Sequence, residues 1–234
     1  MRAVLPLMMA CTLWAQQPLA FEAVSVKPNT SGATGMSGRR GGVEYENISL
    51  RRLVQSAYRV KDFAYSGPSW LDSVHFDIVA KFPAGVNFDQ LPEMLQTLLA
   101  VRFKLVVHRE DKEMTGLALV VDKKGLRIQP VEPGPSGSSW GPSMASGTKI
   151  TMAQLAGMLA DSLNRPVKDM TGISGVYDVN LKWLPDGPLP ADTSDMAGSV
   201  YAAVQDQLGL KLQVQKLPVS LLVVDRAERS PIEN

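Results

Sequence analysis

Cysteine is nearly absent from this chain: Cys11 stands alone among 234 residues. One cysteine excludes an internal disulfide framework and any zinc site built from several thiolates. Histidine is almost as scarce, with only His75 and His108. A metal centre would need further ligands around them, so both read as surface histidines and no metal or cofactor is expected. An excess of either charge is missing too, since 24 Lys and Arg stand against 23 Asp and Glu, for a net charge of +1. That balance offers no electrostatic case for nucleic acid or for an anionic membrane surface. Past the N-terminal residues, no apolar run approaches the roughly 20 residues of a membrane-spanning helix. The mature chain is therefore expected to have no membrane span.

The N-terminal residues are different. "MRAVLPLMMACTLWAQQ" has one arginine followed by an apolar run of about the length of a signal-peptide core. Residues 1–15 are expected to be a cleaved export signal, cut after Ala15. The competing reading treats "MMAC" as a lipoprotein box with Cys11 lipidated, but Met8 and Met9 fit such a box poorly. Either route places the mature protein outside the cytoplasm, in the periplasm or beyond.

Three segments read as loops from their Gly, Pro and Ser content: 27–42, 129–148 and 184–198. The middle one divides the chain, and the flanking parts resemble each other. Ile48, Leu50, Leu53, Val54 and Ala57 fall opposite Ile150, Met152, Leu155, Ala156 and Leu159, at the intervals of one helical face. Ser49 and Thr151 sit where a hydroxyl caps a helix start, and Gln154 completes a capping box with Thr151. "HFDIVAKF" and "VYDVNLKW" then alternate as half-buried strands. A second helix follows in each part, and Leu119-Val120-Val121-Asp122 matches Leu222-Val223-Val224-Asp225 near the end. The pattern predicts an α+β protein of two tandem repeats, 21–128 and 149–234, joined by a linker over 129–148. Each repeat reads helix, strand pair, helix, strand pair. "FEAVSVKP" and "GGVEYENI" add N-terminal strands to the first.

"FEAVSVKPN", "SLRRLVQSAYRV", "SGPSWLDSVHFDIVAK" and "RPVKDMTGISGVYDVNLKW" together resemble a soil-associated domain of unknown function expanded in Acidobacteria. The resemblance runs from Phe21 to Asn234. It implies no established activity and carries over no catalytic residue; some members of that family are fused behind a membrane metallopeptidase-like sensor module. Each part is also similar in outline to the short N-terminal module of secretins and TonB-dependent receptors, through "ITMAQLAGML" and "LGLKLQVQKLPVSLLVV". That resemblance implies protein–protein contact without chemistry.

Few residues invite a chemical role. Asp77 with Asp178, and Lys81 with Lys182, occupy equivalent places in the two parts. They are expected to keep exposed strand faces soluble and to discourage edge pairing; the rival reading makes the aspartates a catalytic carboxylate pair. Ser174 in "TGISG" lacks the spacing of a nucleophile elbow, and neither G-x-S-x-G nor S-x-x-K is expected elsewhere. "GRRGG" reads as a basic loop between strands, and Arg39 and Arg40 are the residues to meet an anionic polymer or partner. Trp183 continues an apolar face and is expected in the core. Trp140 lies in the Gly/Pro/Ser segment and either docks back or meets a partner, docking being the expectation. The sequence is read as an exported, non-enzymatic module that recognises an envelope protein or peptide. The alternatives are a small hydrolase with a carboxylate site between the two parts, and a sensor of a small ligand or wall fragment.

Overall fold

The computed structural model describes residues 18–30, 32–39, 41–184 and 199–232. The leader with Ala15 and Cys11, Arg40, and most of the 184–198 loop therefore lie outside the described residues, as does the side chain of Arg39. In chain order come strands β1 (Ala23–Asn29), β2 (Gly35–Arg39) and β3 (Gly42–Ser49), helix α1 (Leu50–Tyr58), strands β4 (Tyr65–Ser66) and β5 (His75–Lys81), and helix α2 (Leu91–Phe103). They are followed by β6 (Val106–Val121), β7 (Pro130–Val131), β8 (Gly137–Gly141), β9 (Met144–Ile150), α3 (Met152–Leu163), β10 (Val167–Asp169), β11 (Val176–Lys182), α4 (Val200–Ala203) and β12 (Leu210–Arg226). The fold is mixed α+β, with three four-stranded sheets among the described residues.

The chain divides into two compact units, and the division interleaves along the sequence. One unit takes the residues up to Arg59, Pro68–Val106 and those from Arg226 on; the other takes Val60–Gly67 and Val107–Asp225. In the first unit an antiparallel sheet runs β1-β5-β3-β2. Helix α1 buries Leu50, Leu53, Val54 and Ala57, the stripe its spacing predicts. It starts where the Ser49 hydroxyl accepts the Arg52 N–H and stops at Arg59, which adopts the left-handed conformation. The amide of Gln96 on α2 donates to the Ala57 carbonyl at 2.7 Å, tying α2 to the end of α1. Phe76 and Phe103 meet edge to face at 5.0 Å in this core.

The second unit holds the other two sheets. One is ordered β7-β11-β9-β8. Helix α3 starts with the full Thr151/Gln154 capping box. Its buried Met152, Leu155, Ala156 and Leu159 join Tyr177, Val179, Leu181 and Trp183 of the sheet in one core. The other sheet is ordered β10-β6-β12-β4. Contacts of His108 with Asp225, Thr115 with Lys216, and Asp122 with Gly209 show that β6 and β12 run in opposite directions. The outer strands are short and parallel to their neighbours: Val167 to Asp169 align with Leu117 to Leu119, and Tyr65 and Ser66 with Leu222 and Val223. The strand that follows α1 thus pairs with the last strand of the chain. The strand that follows α3 pairs with β6, from the earlier part.

This arrangement departs from the sequence reading in three ways. The expected strand pairs "FKLVVHRE"/"GLALVVDKKG" and "LKLQVQKLP"/"VSLLVVDRAE" are two single strands of 16 and 17 residues. Their polar middles resemble turns in composition, but each pairs with the other long strand, which supplies the backbone partners a turn would have made unnecessary. The 129–148 segment, read as a linker, contains β7, β8 and most of β9. Its Gly and Ser content is that of an exposed sheet edge. Finally, β5 and β11 lie inside their sheets rather than at edges, so Lys81 and Lys182 guard no edge; Lys81 pairs instead with Glu22 at 2.7 Å.

The approach of β10 to β6 depends on Gly116. The Leu117 N–H donates to the Pro166 carbonyl at 2.8 Å. A Cβ on Gly116 would stand 2.7 Å from that oxygen and 2.8 Å from Leu217 Cδ1. Gly116→Ala is expected to cost about 1–3 kcal/mol in urea unfolding, as overpacking does. It should also accelerate amide exchange at Leu117 and Met170, which bracket the β10–β6 pairing.

Candidate functional site

Both aspartates singled out in the sequence are engaged with the backbone. Strand β3 slips against β5 between Tyr45 and Ile48, so Glu46 and Asn47 together face the single residue Asp77. Asn47 takes a left-handed φ of 51°, and its N–H, left without a strand partner by this β-bulge, donates to the Asp77 carboxylate at 2.9 Å. The amide of Asn29 donates to the same oxygen at 2.7 Å. In the second unit the slip lies between Tyr177 and Val179, opposite Thr148 and Lys149. Lys149 takes a φ of 54°, and its N–H reaches the Asp178 carboxylate at 2.9 Å. Each bulge turns the chain from a strand into the N-cap of a helix.

Hydrogen bonds from Asn29 and from the Asn47 amide hold the Asp77 carboxyl below its ordinary value of 3.8, desolvation opposing them and Lys27 adding to them. A value lowered in the folded state means that this stabilisation is fully present above about pH 4. It is lost as pH falls through the folded value.

Two clefts adjoin these bulges. The cleft in the second unit has a volume of about 610 Å³ and is lined by Ser138, Ser139, Ser146, Thr148, Asp178 and Asn180, with Gly137 and Gly147 between them. Among the described residues β8 is the outer strand there, and the Ser162 hydroxyl on α3 donates to its Gly141 carbonyl at 3.3 Å. Trp140 stands 52% exposed on it and Met144 37% exposed on the neighbouring β9, so Trp140 does not dock back.

The expectation that neither serine-nucleophile spacing occurs outside Ser174 is wrong, for two fall on this sheet. Gly137-Ser138-Ser139-Trp140-Gly141 fits G-x-S-x-G, and Ser146-Gly147-Thr148-Lys149 fits S-x-x-K. Neither has the local structure the chemistry needs. Ser139 is mid-strand, paired with Ser146, rather than on a strand-to-helix elbow. No hydrogen bond joins Ser146 to Lys149, whose ammonium lies beside Gly134, and no histidine lines the cleft.

The other cleft, of about 430 Å³, lies in the first unit. Its lining includes Met36, Tyr45, Ile48, Arg52, Ser56 and His75. Sequence reading placed His75 on an exposed face, but it is half-buried here. His108 pairs with Asp225 at 2.8 Å. Among the described residues no group of three or more His, Cys, Asp or Glu is placed to hold a metal ion, and no helix is long and apolar enough to cross a membrane.

An α+β protein with three four-stranded sheets among the described residues, whose Asp77 and Asp178 accept from bulge amides, is the class these observations define. A family model described as a protein of unknown function, DUF3738, matches residues 51–227. The chain belongs to that family. No curated protein and no solved structure matches it.

Asp77→Asn, which leaves a neutral acceptor facing the bulge, is expected to lower thermal stability at neutral pH and to flatten its dependence on pH below about 4. Circular dichroism melts of the two proteins across pH 2 to 7 measure both effects.

Proposed function

We propose that the protein is an exported, non-enzymatic binding module that takes an extended peptide of an envelope partner by adding it as a strand beside β8. The observation that carries this reading is the composition of that edge. Edge strands are ordinarily guarded by charge, proline, short length or a covering element. Strand β1 contains Lys27 and Pro28, β7 is two residues long, and β2 has Gly38 beneath the ring of Phe88. Gly137–Gly141 has no charge, no proline and an exposed tryptophan. Strand addition draws affinity from the main chain and specificity from side chains at alternate positions. Trp140 provides the anchor, and the serine-lined cleft provides hydrogen-bonding groups.

The two parts of the chain are read as copies of one duplicated unit, similar in outline to the modules of secretins and TonB-dependent receptors. Supporting this are the two bulges with the same carboxylate latch, the capped helices that follow them, and the parallel strands β4 and β10. Export rests on the leader-like first 15 residues. No observation favours a hydrolase built on Asp77 and Asp178, since both carboxylates hold backbone amides.

Random linear peptides displayed on phage and selected on the intact protein test the proposal. Selected peptides are expected to slow amide exchange along Ser138–Trp140. Trp140→Ala and Trp140→Lys should each weaken their binding at least tenfold, about 1.4 kcal/mol or more, while leaving the melting temperature unchanged. Peptides that protect another region, or bind both variants equally well, would refute it.

A further inference from the structure

One hydrogen bond decides which backbone groups of β8 turn outward. The Trp183 N–H donates to the Ser143 carbonyl at 3.0 Å, next to the Lys182–Met144 pair. In an antiparallel ladder such a bond marks Lys182 and Met144 as a pair without mutual bonds, so the N–H and C=O of Met144 turn to Gly141 on β8. Bonded and non-bonded pairs alternate from there. Gly141, Ser139 and Gly137 bond to β9, and the peptide groups of Trp140 and Ser138 point to the outer side, where no described strand follows.

These five residues match their own reverse. Turned about Ser139, Gly137 meets Gly141 and Ser138 meets Trp140. In that register two antiparallel copies pair both outward residues of each strand, and the two Ser139 residues face each other across a twofold axis. A shift by one pair in one direction sets Ser138 against Pro142, which has no N–H to donate; the opposite shift sets Trp140 against Ser136, outside the strand. Trp140 aligns with the buried Ala145 and so lies on the α3 side of the sheet. There it stands opposite the small Ser138 of the other copy and diagonal to the second Trp140, within reach for aromatic rings. A twofold contact also sets residues near the axis against their own copies, so a charge there would repel itself. No charged residue occurs between Glu132 and Lys149.

We propose that β8 is the edge through which two copies of this chain pair reversibly, joining two sheets of four strands into one of eight. This rests on the reading that β8 accepts an added strand, and it supplies a regulation of that edge: a paired β8 is closed to a peptide. Stable dimers bury about 800 Å² per partner. One indole contributes about 150–250 Å², and the five residues of β8 are otherwise glycine and serine. The contact is therefore weak, and a well-matched peptide displaces it.

Sedimentation velocity on the intact protein from micromolar to millimolar concentration should show a mean mass rising towards that of a dimer. Ser139→Lys and Ser139→Asp each place like charges at the pair without mutual bonds, where side chains approach closest. Each variant should melt like the parent yet stay monomeric where the parent is half dimeric, and an equimolar mixture of the two should recover at least the parent's dimer content. Peptides that protect Ser138–Trp140 should dissociate the parent dimer. Self-pairing through β8 is refuted if the parent stays monomeric, if either variant associates like the parent, if the mixture remains monomeric, or if such peptides leave the dimer intact. Peptide capture at β8 by a parent that never self-associates would keep the peptide reading and remove this one. A dimer rescued by mixing the two variants, with no peptide selected at β8, would do the reverse.

Discussion

A carboxylate opposite a bulge is the constraint on which the rest of each unit depends. A strand carrying one extra residue leaves an amide without its ladder partner, and that amide takes an acceptor from elsewhere. Asp77 and Asp178 provide the missing acceptor from the neighbouring strand. With the amide held, Asn47 and Lys149 can keep the left-handed conformation that redirects the chain. Ser49 and Thr151 then stand where a helix must begin, and the helices lie with their apolar stripes inward.

The two units use this common geometry differently. In the second, Gly147 on the strand and Gln154 on the helix let the interior close, and the polar surface moves out to the sheet face beside β8. In the first, Tyr45 and Arg52 occupy the corresponding places, counted from the bulge and the helix cap, and line a cleft between helix and strand.

What could be read from the sequence was local. The helical stripe of α1, its hydroxyl cap and the capping box of α3 depend on residues within a few positions of one another, and all appear in the structure as expected. The alternation around Tyr177 and Trp183 placed those rings in the core correctly. What could not be read was non-local. Nothing near Tyr65 announces that its strand partner is Leu222, and nothing in "GSSWG" separates an edge strand from a loop, because the ordering partner is β9 rather than the segment itself. The role of Asp178 was hidden for the same reason: its acceptor function exists only once Lys149 has been bulged against it.

The crossed pairing of β4 with β12, and of β10 with β6, also bears on how the chain acquires its structure. Tyr65 is synthesised long before Leu222, and until that strand arrives the segment after α1 has no ladder to join. Contacts so distant in sequence slow folding, since the entropy of closing the loop must be met before they form. The second unit therefore cannot be completed as the chain emerges residue by residue. The sheet of β10, β6, β12 and β4 closes only after its last strand is available.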